Sequence, residues 1–329
     1  MRVLAIQLNQ PGDAILTTPA LRWLMQQGHE VHAMVQPISA ELLRTMDGLA
    51  GVHPLPRGSF QVSRDIHRWN FFRAVHFDWA LVFSRCSERP ALWAWLSRAP
   101  QRSALLNENF PKLLRPLRMI NQWRRYPAWP VHVVEQHLAL AGANAEEAAQ
   151  SRLEYTPAVE AIGWHAEWLR EHGLTSQGYL HFHLTARWPS KCWPVGHVRT
   201  FLQRAQKELA CPIVVSTGPA EFEKQYAAQS LDGLSVAVTE IGTLAPHQLG
   251  AIIAGAGAFL GMDSMPMHLA AALQIPGIAL FGSTNADQWG PWRAKIEVIR
   301  TPDAAQRMAA IAPELVVERL RSLEALGVK

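Results

Sequence analysis

Asp263 and Ser264 stand directly behind an apolar run, residues 256–260, that is typical of a buried strand. Pro266 and the small and apolar residues after it predict a short helix, with Ser264 at the N-cap and its hydroxyl accepting a backbone N–H. A strand that leads through a polar turn into a helix presents unpaired N–H groups and a positive helix end to a ligand. The pattern therefore predicts an anion-binding site that suits a phosphate-bearing ligand.

Two cations lie in a second polar loop, which follows the alternating segment 179–183. Arg187 and Lys191 flank a Trp-Pro pair, and cations placed after a strand suit a phosphate group. A pair of exposed surface cations is the alternative interpretation. The unusual composition of residues 191–194 favours the functional role.

Carboxylates stand at two further predicted helix starts. Asp13 follows a glycine, and it either caps its helix or acts as a general base that takes the proton of a substrate hydroxyl. Glu221, three residues after Gly218, could accept hydrogen bonds from ribose hydroxyls or could be an acid favoured by the helix dipole. His268, one turn into the helix after Ser264, is more typical of a packed structural histidine than of a catalyst.

Several classes of chemistry lack their sequence signature. We expect no metal ion and no cofactor, because no cluster of His, Cys, Asp and Glu has metal-ligand spacing. The glycine fingerprint of dinucleotide-binding folds, the P-loop lysine and the G-x-S-x-G nucleophile elbow are all missing. The three cysteines form no disulfide framework, and an odd number suits a reducing cytoplasm.

Strand and helix patterns alternate along all 329 residues and predict two doubly wound α/β units in tandem, divided near residues 155–175. We expect a helix from Ala14 to Gln27, loop or helix over 57–77, irregular structure over 87–130 and a helix over 164–172. Four loops then lie at carboxyl ends of strands, and they line one cleft if the two halves face each other. These loops are 9–13, 184–194, 217–221 and 261–266.

Positive charge is concentrated in one segment. Between Arg57 and Arg125 the chain has thirteen Lys and Arg against four acidic residues, +9 in a chain of net charge +4, together with five tryptophans. Such a segment favours an anionic partner, either a phosphorylated glycolipid, a membrane surface or a nucleic acid, although a solvated basic face over core tryptophans is equally compatible. No apolar run has the length of a membrane span, so we expect a soluble or peripheral protein.

Residues 263–273, followed by 280–284 and 289–291, resemble the signature of the lipopolysaccharide heptosyltransferases, glycosyltransferase family 9. Residues 12–21 resemble the N-terminal motif of that family, and 185–194 resemble its central basic loop. The loop is most similar to the branch that adds the third, side-branch heptose of the inner core. The resemblance spans most of the chain, with the motifs in the expected order.

The resemblance implies a GT-B fold, in which two Rossmann-like domains face each other across a cleft. Residues 1–160 would bind the acceptor, 161–310 would bind the nucleotide-sugar donor, and 311–329 would form a helix that packs back on the N-terminal domain. The implied reaction is an inverting, metal-independent transfer of heptose from ADP-heptose to the inner core of lipopolysaccharide. Such an enzyme would be cytoplasmic, with peripheral contact to the membrane face and no nucleic-acid partner.

The family motifs also imply roles for individual residues. Asp13 would be the general base, and Lys191 would stabilise negative charge on the sugar-phosphate. Glu221 would lie near the donor ribose, with Glu223 as the alternative. Asp263 would hold the donor heptose, and backbone N–H groups its diphosphate. The full donor-binding set implied is Thr185, Arg187, Gly218, Glu221, Asp263, Ser264, Met265, Pro266, Met267 and His268. The acceptor-binding set is Arg57, Arg64 and Arg85.

One position departs from the family pattern. The family usually has Gly where this chain has Met265, and Met adds bulk and restricts φ beside the phosphates. A GT-B glycosyltransferase with another nucleotide-sugar donor is therefore an alternative. A basic, non-enzymatic nucleic-acid binder is a further alternative, and it is disfavoured because nothing resembles a recognition helix or an RNA-binding motif.

Overall fold

A computed structural model describes residues 1–58, 62–83, 86–106, 118–125, 132–301 and 307–323, and for 62–64 it describes the backbone only. The chain forms two compact units, Met1–Glu154 and Tyr155–Lys329. No helix in the described ranges is long and apolar enough to cross a membrane.

The first unit is built on one parallel sheet. Its described strands are β1 (Arg2–Gln7), β2 (Glu30–Val35), β3 (Gly51–Pro54), β4 (Trp79–Val82), β5 (Gln101–Leu105) and β6 (Gln122–Arg124). Its described helices are α1 (Pro11–Gln26), α2 (Pro37–Leu43), α3 (Val62–Val75), α4 (Glu88–Leu96), α5 (Val133–Ala141) and α6 (Ala145–Gln150). The strand order is β3-β2-β1-β4-β5-β6.

The second unit repeats this plan. Its described strands are β7 (Leu180–His183), β8 (Ile213–Thr217), β9 (Val238–Ile241), β10 (Ala258–Met262), β11 (Gly277–Phe281) and β12 (Ile296–Arg300). Its described α-helices are α7 (Val159–Glu171), α8 (Val195–Glu208), α9 (Glu221–Leu231), α10 (Pro246–Ala254), α11 (Met265–Ala272), α12 (Ala286–Trp289) and α13 (Pro313–Arg321). Short 3₁₀ turns occur at Pro189–Lys191 and Arg307–Ala310.

Both sheets have the Rossmann order. The second sheet runs β12-β11-β10-β7-β8-β9, which is the order of the first sheet with the same crossovers. In such a sheet the strand order reverses between the first and fourth strands, and ligands bind outside the carboxyl ends at that point. The reversal lies between β1 and β4 in one unit and between β7 and β10 in the other, and the prediction of two doubly wound units is confirmed.

Apolar side chains cover both faces of the central strands. β1 is buried from Val3 to Gln7, because helices lie on both faces of a parallel sheet. In the second unit Leu180 and Phe182 pack with side chains of α8 and α13. α13 therefore completes the core of the second unit. Its packing side chains are Val316, Val317 and Leu320.

Two helix starts and one irregular region differ from the sequence predictions. α1 begins at Pro11 rather than Ala14, because proline's fixed φ suits the first helical position. α7 begins at Val159, five residues before the predicted start. The prediction of irregular structure over 87–130 is wrong in the described parts, which hold α4, β5 and β6. Pro90 is tolerated because it lies in the first turn of α4.

Candidate functional site

The loops after β7 and β10 begin side by side in the second unit. His183 of β7 is paired with Gly261 of β10, so the loops that leave the two strands start at the same edge of the sheet. This edge is the reversal point of the strand order, where Rossmann-like sheets bind their ligands. The sequence placed both loops at this edge, and the structure confirms that placement.

Lys191 and Asp263 form a direct ion pair at this edge. The ammonium of Lys191 lies 2.5 Å from Oδ2 of Asp263. The Asp263 side chain is 9% exposed and that of Lys191 is 29% exposed. The pair lies beside the N-terminal end of α11, where the helix end is positive. Sequence reasoning singled out both residues for a phosphate-bearing ligand but missed their contact, because they are separated by two intervening strand–helix units.

Glu223 is a buried carboxylate in the first turn of α9, close to the carboxyl end of β8, which we call the β8 edge. Its Oε1 accepts a hydrogen bond of 2.6 Å from the hydroxyl of Thr185, and its Oε2 accepts one of 3.2 Å from the backbone N–H of Ala220. Gly218 makes room for it, because a Cβ at this position would lie 2.5 Å from Oε1. The β8 edge therefore joins Thr185, Gly218 and Glu223 in one cluster.

Glu221 lies at the same helix start but faces solvent. It is exposed, and its Oε1 accepts a hydrogen bond of 3.1 Å from Gln225. Of the two acids considered from the sequence, Glu223 is thus the one in contact with Thr185. The signal that could have separated them is the capping-box spacing, because an acid three residues after the N-cap folds back onto it.

Arg187 lies in the exposed part of the β7 loop. Its guanidinium is 5.6 Å from the ring centroid of Trp188, which is 56% exposed. A cation stacked on an exposed ring keeps its donors at the surface of the loop. This geometry fits the predicted phosphate contact and also the alternative of a surface cation.

The start of α11 has the predicted position but a different cap. Ser264 is the N-cap residue, yet its hydroxyl donates to the carbonyl of Met262 at 3.3 Å, so the prediction that this hydroxyl caps the helix is wrong. The extended backbone of Ser264 turns the side chain back toward β10. Met265 is half-buried at the first helical position, and Pro266, Met267 and His268 are buried. The burial of His268 fits a packed histidine.

A buried polar cluster that the sequence did not reveal lies beneath this edge. The hydroxyl of Ser216 is 2.8 Å from Nε2 of His181 and 2.9 Å from Nδ1 of His183, so it donates to one ring and accepts from the other. Burial lowers the pKa of His183 to about 3, and burial and the neighbouring ring lower that of His181 well below its usual value. Both rings are therefore neutral, and they tie β7 to β8 directly below the loops.

Asp13 is the acidic residue at the start of α1 in the first unit. Its Oδ2 accepts a hydrogen bond of 2.8 Å from the backbone N–H of Gln10, and the side chain is half-buried. Its carbonyl accepts a bond of 2.7 Å from the Thr17 hydroxyl. Asp13 therefore makes the predicted capping contact with the helix start. This hydrogen bond holds the carboxylate at the carboxyl edge of β1.

Arg57 is linked to the loop that precedes Asp13. Its Nε donates to Oε1 of Gln36 at 2.8 Å, and its Nη2 donates to Oε1 of Gln10 at 2.9 Å. The structure thus brings Arg57, one of the three predicted acceptor-binding residues, close to Asp13. Arg64 lies in α3 with its side chain outside the described residues, and Arg85 lies outside them altogether.

Metal-ligand sets are not found in the described ranges, where no three His, Cys, Asp or Glu side chains are grouped so that they could hold an ion.

Comparison with known proteins identifies the family. The family model described as glycosyltransferase family 9 (heptosyltransferase) matches residues 92–312. Lipopolysaccharide heptosyltransferase 3 of Escherichia coli is 32% identical over 134 residues, 39% of this chain and 39% of that protein. Lipopolysaccharide heptosyltransferase 1 of Pseudomonas aeruginosa is 27% identical over 309 residues, 87% of this chain and 79% of that protein.

Solved structures share the fold. The glycosyltransferase family 9 protein of Veillonella parvula superposes with a TM-score of 0.86 at 18% identity, covering 100% of this chain and 98% of that one. The E. coli ADP-heptose LPS heptosyltransferase II superposes with a TM-score of 0.79 at 22% identity, covering 98% of each chain. These likenesses show the α/β GT-B fold. The match of the family model over residues 92–312 shows that the chain belongs to glycosyltransferase family 9, the heptosyltransferase family, and is a glycosyltransferase.

Proposed function

We propose that the protein is an inverting, metal-independent heptosyltransferase that moves heptose from ADP-heptose to the inner core of lipopolysaccharide. The observation that carries the proposal is the Lys191–Asp263 pair, 2.5 Å apart beside the start of α11 at the reversal point of the second sheet. Family membership supplies the class of reaction, and the relatives are heptosyltransferases by name.

The donor binds at the loops of the second unit. Its diphosphate lies against the backbone N–H groups at the start of α11, where the helix end is positive. Lys191 faces the same group, and its pairing with Asp263 keeps the ammonium in place before the donor arrives. Glu223 or Glu221 accepts hydrogen bonds from the ribose hydroxyls, and the contact between Thr185 and Glu223 favours Glu223.

Transfer is a single displacement at the anomeric carbon of the heptose. The acceptor hydroxyl oxygen forms the new bond to that carbon and gives its proton to the carboxylate of Asp13. The bond between the anomeric carbon and the diphosphate oxygen breaks, and ADP leaves with the electron pair. Lys191 and the N–H groups of α11 stabilise the charge that develops on the leaving diphosphate, which is the task a metal ion has in other transferases.

The acceptor binds through the basic first unit. Arg57, already linked to the Asp13 loop through Gln10, contacts an anionic group of the phosphorylated, Kdo-bearing inner core. Arg64 and Arg85 belong to the same basic segment. Because this acceptor is anchored in a membrane, the enzyme works in the cytoplasm at the membrane face.

The experiment is a transfer assay with purified protein, ADP-heptose and lipopolysaccharide that lacks the terminal inner-core heptose. We expect ADP release and one added heptose, unchanged by EDTA, with inverted anomeric configuration by NMR. Lys191→Met should lower turnover by about 10²–10³-fold, whereas Lys207→Met, a change of an exposed lysine on α8, should not. Turnover that requires a divalent ion, or that retains configuration, contradicts the proposal.

A different nucleotide-sugar donor is the second candidate, and Met265 motivates it. Met265 is half-buried at the first position of α11, where a close approach of the phosphate favours glycine. Thermal-shift measurements with ADP-, UDP- and GDP-sugars separate the two candidates. Stabilisation by ADP-heptose supports the first, and stabilisation by a UDP- or GDP-sugar alone supports the second.

A further inference from the structure

The segment between β1 and α1 holds the Asp13 contact. Residues 8–10 connect the strand to the helix, and the N–H of Gln10 is the donor to the Asp13 carboxylate. The N–H of Asn9 also donates, at 3.3 Å, to Oε1 of Gln7. The orientation of the Asp13 carboxylate therefore depends on the position of this short connection.

Gln36 reaches this connection from the next strand–helix turn. It is the residue before α2, it is buried, and its amide nitrogen donates at 2.5 Å to the carbonyls of both Leu8 and Asn9. One side-chain amide has two N–H groups, so Gln36 satisfies two consecutive carbonyls of the connection at once. A carboxylate or an apolar side chain at position 36 could not do this.

Gln36 also accepts a hydrogen bond from the guanidinium of Arg57. Its Oε1 accepts the 2.8 Å bond from Nε of Arg57, and the same guanidinium donates to the side chain of Gln10. Two sets of hydrogen bonds thus fix the connection. Gln36 binds its carbonyls, and Arg57 binds the side chain of Gln10, its last residue. Both sets of bonds fix the position of Gln10, whose N–H donates to Asp13.

We propose that Gln36 is a positioning residue for the reaction, which acts by holding the Leu8 and Asn9 carbonyls and thereby the Gln10 donor of Asp13. The inference rests on the proposed role of Asp13 as general base. A general base must lie within hydrogen-bond reach of the proton it takes, and small displacements of such a group reduce the rate strongly.

Two substitutions separate the contacts of the Gln36 amide nitrogen from those of its oxygen. Gln36→Glu keeps an oxygen for Arg57 but has no N–H for the carbonyls, whereas Gln36→Met removes both contacts. We expect both variants to lower kcat by about tenfold or more, with KM for the donor within about twofold of wild type. Gln150→Glu, at an exposed position at the end of α6, is the control and should keep the wild-type kcat.

The KM-against-kcat split and the unfolding transition of the first unit distinguish positioning from misfolding. A variant that only folds poorly unfolds at a lower denaturant concentration and loses activity in proportion to its unfolded fraction, while a positioning variant stays folded under the assay conditions and turns over slowly. Wild-type kcat in Gln36→Glu, or a loss explained by the unfolded fraction, overturns the inference.

A double variant ties the effect to Asp13. If Gln36 acts through that carboxylate, Asp13→Asn and Asp13→Asn with Gln36→Glu have the same residual rate within about twofold, because the positioned group is already gone. A further tenfold loss in the double variant overturns the inference while leaving the base assignment intact. Full activity of Asp13→Asn alone instead overturns the proposed function, so the two failures are distinguishable.

Discussion

Lys191 Nζ lies 2.5 Å from Asp263 Oδ2 and joins the loop after β7 to the loop after β10. Each partner is a charged residue of the proposed donor site. The carboxylate therefore neutralises the charge of the lysine at the edge where the diphosphate is proposed to bind. A bound diphosphate can share the ammonium with Asp263, so the cation is in place without reorganisation when charge develops on the leaving group.

Substitution of Lys191 should affect a different step from substitution of Asp263. Lys191→Met should lower kcat by about 10²–10³-fold, since it removes a cation that stabilises the leaving diphosphate. Asp263→Asn should weaken donor binding, since it loses a charged contact to the sugar and loosens Lys191. Steady-state kinetics with calorimetric donor titration measures both. Additive effects in the double variant contradict a functional coupling between the two groups.

The Asp13→Asn variant tests the general base. Asparagine keeps an oxygen that can accept a hydrogen bond from the Gln10 N–H, so the fold should be preserved. Loss of general-base catalysis should lower kcat by about 10²–10⁴-fold, with the donor Kd close to wild type. A variant that turns over at the wild-type rate excludes Asp13 as the base.

Stability should fall as the pH drops below about 6.5. Burial lowers the pKa of His183 to about 3 and that of His137 to about 4, while both have a value near 6.5 when unfolded. These rings are neutral in the folded protein, so below pH 6.5 the unfolded state binds more protons and folding loses free energy. At pH 5 each such ring should cost about 2 kcal/mol relative to pH 7.5.

Denaturant titrations at several pH values measure this slope, and His183→Gln should reduce it. His181 adds to the same trend, since its pKa is also lowered by burial and by His183. A free energy of unfolding that stays constant from pH 7.5 to pH 5 contradicts the assignment of neutral buried rings.

Gly218→Ala should disturb the buried carboxylate cluster. The added Cβ would lie 2.5 Å from Oε1 of Glu223, so the carboxylate must move away from Thr185. We expect a loss of about 1–3 kcal/mol in the free energy of unfolding and weaker donor binding.

The control is Gly163→Ala, an exposed helix position whose Cβ would meet no atom within 4 Å. It should raise stability by about 0.5–1 kcal/mol, since alanine is the better helix former. Equal effects of the two substitutions contradict the packing argument at Gly218. Chemical denaturation and thermal-shift titration with the donor provide both readouts.

Local patterns predicted the two doubly wound units and the strand ends, because buried parallel strands leave apolar runs and polar turns in the sequence. They placed Asp13, Lys191 and Asp263 at carboxyl edges for the same reason. They could not show that Lys191 and Asp263 touch, or that Glu223 rather than Glu221 contacts Thr185, because those relations depend on loop conformation. The Ser264 hydroxyl was predicted wrongly since an extended backbone turns it toward Met262.

Gln36 and the His181–Ser216–His183 cluster carry no motif at all. A glutamine before a proline and two histidines in a strand are ordinary residues in a sequence, and only the pairing of neighbouring strands gives them partners. Contacts of this kind are set by register between distant segments, which periodicity within one segment does not record.

The transfer of heptose itself is the most direct test of the account. Purified protein is incubated with ADP-heptose and a truncated inner-core lipopolysaccharide, and the product is followed by mass spectrometry with wild type, Asp13→Asn and Lys191→Met in parallel. We expect one added heptose with the wild type and almost none with either variant. No transfer from ADP-heptose, together with turnover of another nucleotide sugar, would contradict it.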